Sequence, residues 1–176
     1  STVNNLIQTS VASAERIFEF LDAKPSIVDT PDSVELPPLS KEIVFENVSF
    51  SYDGEKWVLD NLSFSVKKGE RIALVGPSGA GKSTIIKLIP RFYDVLSGAI
   101  LIDGLDIRKV TLESLRSQIA IVTQETILFS GSVRENLIGG RKDVSDEQIY
   151  EALKMSHAYD FVMQLPNGLD SNLGEF

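Results

Sequence analysis

The sequence predicts a domain of the α/β class, in which an antiparallel β subdomain accompanies a strand, a glycine-rich loop and a helix. Three observations predict this fold. Apolar and polar residues alternate between Val44 and Val66, a continuous apolar run at Ile72–Val75 leads into the loop GPSGAGKS, and a helical pattern follows that loop. A helix and a proline-rich linker are predicted to precede the domain.

Length and composition fit one folded domain and exclude several kinds of site. The chain has 176 residues, of which 43% are apolar and 24% charged. Its net charge of -8 argues against nucleic-acid binding, which depends on neutralising phosphates with Lys and Arg. There is no cysteine, which excludes disulfides and thiolate metal sites. No apolar run approaches the ~20 residues that cross a bilayer.

The first 41 residues are predicted to form a helix and a linker. In residues 1–22, apolar residues recur every three or four positions, at Val3, Ile7, Val11, Ala14, Phe18 and Leu21. That stripe predicts a helix packed on a core or a partner, or else the cytosolic end of a membrane helix. Residues 23–41 hold four prolines and predict an extended linker, because proline is excluded from helix interiors. The folded domain is predicted to occupy residues 42–176.

The strands are predicted from two different patterns. Alternating apolar residues in Val48–Tyr52 and Leu62–Val66 predict half-buried antiparallel strands, and another strand is predicted at Ala99–Ile102. Continuous apolar residues predict buried strands at Ile72–Val75 and Ile119–Val122.

The helices are predicted from periodicity and from capping residues. An apolar pattern predicts a helix at Thr84–Ile89, directly after the glycine-rich loop. Ser145 and Gln148 form a capping box at the start of a later helix, which is predicted to break near His157.

The loop from Gly76 to Ser83 matches the pattern G-x-x-x-x-G-K-[ST] of a phosphate-binding loop. Glycines allow positive φ and let a polyphosphate lie against backbone amides, which form a concave anion site. Lys82 is expected at the β and γ phosphates, and the Ser83 hydroxyl is expected to bind Mg²⁺. The predicted nucleotide-binding residues of the loop are Gly76, Ser78, Gly79, Ala80, Gly81, Lys82, Ser83 and Thr84. The alternative is a glycine-rich turn with an incidental lysine.

Several stretches resemble the nucleotide-binding domains of ATP-binding cassette (ABC) transporters, and exporters in particular. They are ASAERIFEFLD, FENVSFSY, RFYDVLSGAILIDGLDI and IAIVTQETILFSGSVRENL. The resemblance implies a P-loop NTPase core, in which Tyr52 stacks on adenine and Gln124 contacts Mg²⁺ and the attacking water. Catalysis would then involve Lys82 and Gln124, with Ser83 and Gln124 at the metal. The alternative for Tyr52 is a core tyrosine on a half-buried strand.

The resemblance also implies function and partners. The chain would be the ATP-binding portion of an exporter at the cytoplasmic face of the cell membrane, with ATP and Mg²⁺ as cofactors. It would pair with a second nucleotide-binding domain, as a homodimer or a heterodimer, and contact transmembrane domains through Ile127–Val133. The alternatives are a soluble P-loop ATPase, GTPase or kinase, and a non-catalytic module; the guanine motif N-K-x-D is absent from the sequence.

The sequence departs from the family after LPNGLDSNLGE, because no signature motif, Walker B strand or switch histidine follows within these residues. Four look-alikes have simpler explanations. The stretch FSGS at Phe129 lacks the second glycine and the glutamine of the signature motif. The Asp103-Gly104 pair predicts a turn rather than a Mg²⁺ aspartate, and Asp146-Glu147 predicts the first turn of a helix. His157 is expected to be an ordinary helical residue. These 176 residues alone are therefore expected to bind Mg-nucleotide weakly and to be inactive in hydrolysis.

Overall fold

The computed structural model describes residues 2–123, 127–141 and 143–174, and in its first helix the side chains of residues 8, 10, 11 and 13–21. It divides into two compact units, residues 1–120 and 121–176. The first unit contains α1 (Thr2–Leu21), β1 (Glu42–Phe50), β2 (Leu59–Lys67), α2 (Lys82–Leu88), β3 (Ser97–Ile102), β4 (Leu105–Asp106) and α3 (Leu112–Arg116). The second contains α4 (Val133–Ile138), α5 (Asp146–Met155) and α6 (Tyr159–Met163).

The predicted first helix is present as α1, and its described side chains are exposed. Val11 and Phe18, which belong to the predicted apolar stripe, are 50% and 60% exposed. Packing of this stripe on the chain's own core is therefore wrong for these two residues, while a partner or an upstream membrane helix stays a prediction. Val3 and Ile7 have side chains outside the described part. Among the described helices, none combines the length and apolar character needed to cross a bilayer.

The two strands predicted from alternation, β1 and β2, form one sheet with the predicted β3 and with β4, a two-residue strand that was not predicted; the order is β2-β1-β3-β4. Every pairing in this sheet is antiparallel, as the pattern predicts. Phe45 lies opposite Phe64 on β2 and Ile100 on β3, and the two phenylalanine rings stack at 4.5 Å. Phe45 and Ile100 are almost fully buried, so the inward face of β1 and β3 supplies much of the core of the first unit.

Asp103 and Gly104 form the predicted turn between β3 and β4. Both residues have positive φ, 51° and 84°, which suits a two-residue hairpin turn. The Asp103 carboxylate accepts hydrogen bonds from the backbone amides of Ser40, Lys41 and Glu42 at 2.6–2.8 Å. The Ser40 amide is the main group that lowers the pKa of this carboxyl well below its usual range. The turn explains Asp103 without a metal role.

The proline-rich linker lies on the 3₁₀ helix Ile107–Lys109 and on α3. Val34 makes a parallel bridge with Val110, and Leu36 is buried within the core of the first unit. The Leu36 amide donates to the Ser114 hydroxyl at 2.9 Å, and its carbonyl accepts from Gln118 at 2.9 Å. The linker residues therefore add to the core, while the predicted domain boundary at residue 42 stays a prediction.

Two of the predicted strands are wrong. Residues 72–75 and 119–122 belong to no strand, and Val75 and Val122 are 88% and 98% exposed. A continuous apolar run forms a buried strand only when neighbouring strands bond to it on both sides. The described sheet contains only its four antiparallel strands, and neither segment is among them. Leu74 and Ile119 nevertheless pack against the core as partly buried side chains.

The second unit is a small helical cluster around Val133, Ile149, Leu153, Val162 and Leu169. Ser145 and Gln148 form the predicted capping box at the start of α5, and Asp146-Glu147 lies in its first turn, as expected. The helix ends at Met155, and the predicted break is confirmed by the left-handed φ of 58° at His157. The expectation that His157 is an ordinary helical residue is therefore wrong, because it lies in the turn between α5 and α6.

Arg134 on α4 connects the elements of this unit. Its guanidinium donates to Asp146 at the start of α5 and to Asp170 in the 3₁₀ helix Gly168–Asp170. The hydrogen bond that Arg134 donates to Asp146 raises the pKa of the guanidinium further, so this charge is permanent at any relevant pH.

Candidate functional site

The phosphate-binding loop adopts the backbone geometry that its glycines were predicted to supply. Gly79 and Gly81 both have φ of 82°, in the left-handed region that side chains with a Cβ rarely adopt. Gly81 is also closely packed, because an added Cβ would lie 2.7 Å from Leu59 Cδ2 and 3.0 Å from the Val58 carbonyl oxygen. The start of β2 and the end of the loop are therefore in direct contact.

The helix predicted after the loop begins two residues earlier than expected, at Lys82. The Ala80 amide donates to the Pro77 carbonyl at 3.3 Å, which closes a tight turn just before α2. Gly81 is the N-cap of α2 and has no side chain to cap the first turn. Backbone amides in the first turn of a helix have no carbonyl partner within that helix, so they suit an anion.

The Lys82 ammonium lies on the loop rather than pointing away from it. Its Nζ atom donates to the Gly76 carbonyl at 2.9 Å and to the Pro77 carbonyl at 2.7 Å. The positive charge is thus held at the same short stretch of backbone where the sequence places the phosphates.

Tyr52 lies beside the loop although 32 residues separate it from Thr84. Its hydroxyl and the Thr84 hydroxyl are 3.1 Å apart and share a hydrogen bond, with Thr84 buried on α2. The Tyr52 ring is 50% exposed, so it is not the core tyrosine of the alternative interpretation. An exposed aromatic face beside a phosphate-type loop suits a purine base.

These groups line one cavity of about 340 Å³, a volume within the ~300–1,000 Å³ of small-molecule sites. Of the predicted site residues it brings together Tyr52, Ser78, Gly79, Gly81, Lys82, Ser83 and Thr84, and Val58 completes the lining. An aromatic ring, loop backbone, an ammonium group and hydroxyls fit a nucleotide and a hard cation such as Mg²⁺. Gly76 joins the site through its carbonyl bond to Lys82, and Ala80 through the turn.

Gln124, the other predicted catalytic and metal residue, lies outside the described residues. Beyond it, Ile127 and Phe129 are 76% and 71% exposed, as a contact surface would require. Val133 is 6% exposed and belongs to the core of the second unit, so the surface proposed for residues 127–133 does not include its last residue.

Two features of the site were missed from the sequence. Tyr93 and Phe50 place their rings 5.1 and 4.9 Å from the Tyr52 ring, although nothing in the local pattern indicates that contact for Tyr93. Phe50 carried a signal, since it lies two residues before Tyr52 in the predicted alternating strand, although β1 ends at Phe50 and Tyr52 lies just beyond it. No signal in the sequence indicated the Tyr52–Thr84 hydrogen bond, because it joins residues that are distant in the sequence.

Comparison with known proteins yields consistent relatives. The chain is 50% identical to an ATP-dependent lipid A-core flippase of Desulfotalea psychrophila over 99% of this chain and 30% of that protein. It is 46% identical to a putative multidrug export ATP-binding/permease protein of Bacillus subtilis, over 94% of this chain and 29% of that protein. The chain thus spans less than a third of the length of the curated relatives it matches.

A solved structure described as a bacterial Atm1-family ABC exporter with ATP bound is also similar. It superposes with a TM-score of 0.85 at 40% identity, over 96% of this chain and 30% of that chain. The likeness confirms the predicted fold class and the predicted resemblance to exporters. The profile of the ABC transporter family matches residues 59–171, from the start of β2 to the second unit. The chain belongs to the ABC transporter family.

Proposed function

We propose that this chain is the nucleotide-binding part of an ATP-driven exporter. The observation that carries the proposal is the continuity of the cavity from the Tyr52 ring, through the Tyr52–Thr84 hydrogen bond, to the Lys82 ammonium on the loop. One end offers an aromatic face and the other offers backbone and positive charge, which matches the two ends of a nucleoside triphosphate.

Each residue has a defined role in this proposal. Tyr52 stacks on the base, and the left-handed glycines keep side chains away from the phosphates. Lys82 exchanges its bonds to the Gly76 and Pro77 carbonyls for phosphate oxygens, which is a short movement because the loop carries both sets of groups. The buried Thr84 hydroxyl fixes the position of Tyr52 relative to the loop.

A magnesium ion would be held by the Ser83 hydroxyl, with Gln124 as a second ligand. Ser83 lines the cavity next to Lys82, and an oxygen donor is what a hard cation requires. When bound, the ion would neutralise charge on the phosphates. Gln124 would also orient the attacking water, which makes it, with Lys82, the catalytic pair of the proposal.

The transport role and the partners belong to the same proposal. Relatives described as flippase and exporter proteins support coupling of ATP binding and hydrolysis to export across the cell membrane. We infer a second nucleotide-binding domain as partner, with transmembrane domains contacted through the exposed residues after Gln124, at the cytoplasmic face. The 176 residues include no carboxylate assigned to activating water, so they are proposed to bind nucleotide without releasing phosphate by themselves.

Substitution of Lys82 tests the binding site. Loss of a charged hydrogen-bond donor costs about 1.5–3 kcal/mol, so Lys82→Ala should weaken Mg-ATP binding by roughly tenfold or more. The matched control is Lys87→Ala, which removes an exposed ammonium from the same helix outside the cavity. Calorimetric titration of both variants and the unchanged chain gives the three dissociation constants.

The outcomes separate the proposal from its alternatives. Equal ATP affinity in the Lys82→Ala variant and the unchanged chain would refute the assignment of Lys82. Competition between ATP and GTP provides the second test, because a GTPase site would favour GTP strongly. Preference for GTP would replace the exporter proposal with the soluble GTPase alternative.

A further inference from the structure

We propose that Tyr93 is a positioning residue for the base platform: it holds the Tyr52 ring in the orientation that receives the nucleotide base. The inference rests on the proposed function, since it assumes that Tyr52 stacks on a base. Tyr93 itself does not line the cavity, so its effect would pass through Tyr52.

The contact between the two tyrosines is part of a three-ring cluster. The Tyr52 ring is 5.1 Å from Tyr93 and 4.9 Å from Phe50, at interplanar angles of 88° and 87°. Tyr93 and Phe50 are also in contact, with centroids 5.6 Å apart. Perpendicular pairs at these distances are a favourable aromatic geometry. The cluster therefore supports Tyr52 through its ring, while Thr84 holds it through its hydroxyl.

The turn that carries Tyr93 is firmly held. Arg91 is buried, has a left-handed φ of 55°, and pairs with Asp94 through a 2.7 Å contact that spans Tyr93. Arg116 on α3 donates from Nε to the Pro90 carbonyl and from Nη2 to the Arg91 carbonyl, each at 2.9 Å. A residue can orient its neighbour only if its own backbone is fixed, and these contacts fix it.

Three features of this arrangement separate positioning from general packing. Tyr93 contacts the platform residue directly. Tyr52 is half exposed, so a change in its ring orientation would alter binding without opening the core. The phosphate end depends on Lys82 and the loop, which have no described aromatic contact with Tyr93. Loss of Tyr93 should therefore affect the base and spare the phosphates.

The test compares ATP with tripolyphosphate, a ligand that lacks the base, on the 176-residue chain. An aromatic pair contributes an amount that corresponds to roughly threefold to tenfold in affinity, so Tyr93→Ala should weaken ATP binding by that factor. Tripolyphosphate affinity should stay the same. Tyr93→Phe keeps the ring and should retain ATP binding. Phe161→Ala is the control, since Phe161 is an exposed aromatic on α6 that lies outside the three-ring cluster and outside the turn of Tyr93.

A double-mutant cycle with Tyr52→Ala shows whether Tyr93 acts through Tyr52. In that background Tyr93→Ala should have no further effect on ATP affinity; additive losses would mean direct contact with the ligand and would overturn the inference. Equal weakening of ATP and tripolyphosphate by Tyr93→Ala would also overturn it. If thermal unfolding shows that the Tyr93→Ala variant is not folded, Tyr93→Leu takes its place. Failure of the unchanged chain to bind ATP would instead refute the proposed function.

Discussion

The antiparallel sheet and the apolar segment that leads into the loop have similar side chains but opposite environments. Phe45, in the middle of the sheet, is 1% exposed, while Val75, at the end of residues 72–75, is 88% exposed. Phe45 lies between β2, which follows β1 closely in the chain, and β3, which is about 50 residues away, and its strand pairs with both. Residues 72–75 pair with no described strand. An apolar run therefore indicates a tendency to be buried, but it does not indicate whether, or with which strands, the segment pairs.

The phosphate-binding loop is positioned by contacts with the sheet and not by the exposed segment, residues 72–75, that precedes it. Gly81 lies against Leu59 and Val58 at the start of β2, and Tyr52 lies two residues after the end of β1. Both ends of the cavity are thus positioned by the well-packed antiparallel strands. The loop geometry is present even though residues 72–75 form no strand.

The largest effect is expected from a substitution in the sheet core. Phe45→Ala removes a buried ring that packs on Phe64, and should lower the free energy of unfolding by about 3–5 kcal/mol. Val75→Ala, in the exposed segment, should change it by no more than about 0.5 kcal/mol. Denaturant titration measures the free energy of unfolding of both variants. Equal losses would contradict the contrast between the buried sheet and the exposed segment.

An intermediate effect is expected where the loop meets the sheet. Gly79→Ala introduces only left-handed backbone strain, because no atom lies within 4 Å of its Cβ position, and should cost about 1 kcal/mol. Gly81→Ala adds a clash with Leu59 and the Val58 carbonyl, and should cost about 2 kcal/mol or more. Equal losses in denaturant titration would mean that the contact with β2 is not a constraint on the loop.

The smallest effect is expected from pH at the turn between β3 and β4. The pKa of Asp103 is lowered chiefly by the Ser40 amide, so its ionised form is favoured by folding. Its contribution is complete above the ordinary carboxyl pKa near 4, and is lost as pH falls towards the lower folded pKa. The Asp103→Asn variant should therefore be less stable than the unchanged chain at neutral pH, and its stability should fall less than that of the unchanged chain on acidification.

Thermal unfolding between pH 3 and pH 7 checks this dependence. Asp53 also contributes to stability over this pH range, because the amides of Lys56 and Glu55 lower its pKa to about 2. This contribution is the same in the Asp103→Asn variant and in the unchanged chain. Parallel pH curves for the two proteins would show that the Asp103 bonds to residues 40–42 do not stabilise the fold.

The sequence predicted best what is decided locally. Alternation predicted the antiparallel strands, the Ser145–Gln148 capping box predicted the start of α5, and the motif predicted the glycines of the loop. It failed for Ile72–Val75 and Ile119–Val122, because an apolar run does not show whether any other strand pairs with it. No pattern pointed to Tyr93 either, because this residue meets Tyr52 from 41 positions away in the sequence.

The docked linker also sets a limit on distance. Among the described residues of the linker, Asp29 is held first, by the hydrogen bond that the Leu112 amide donates to its carboxylate at 2.8 Å, and α1 ends at Leu21. The chain between these two residues reaches at most about 28 Å when fully extended. The linker is therefore a short tether for α1. A displacement of α1 beyond that reach would first break the hydrogen bond at Asp29 and then those at Val34 and Leu36, before it affected any strand.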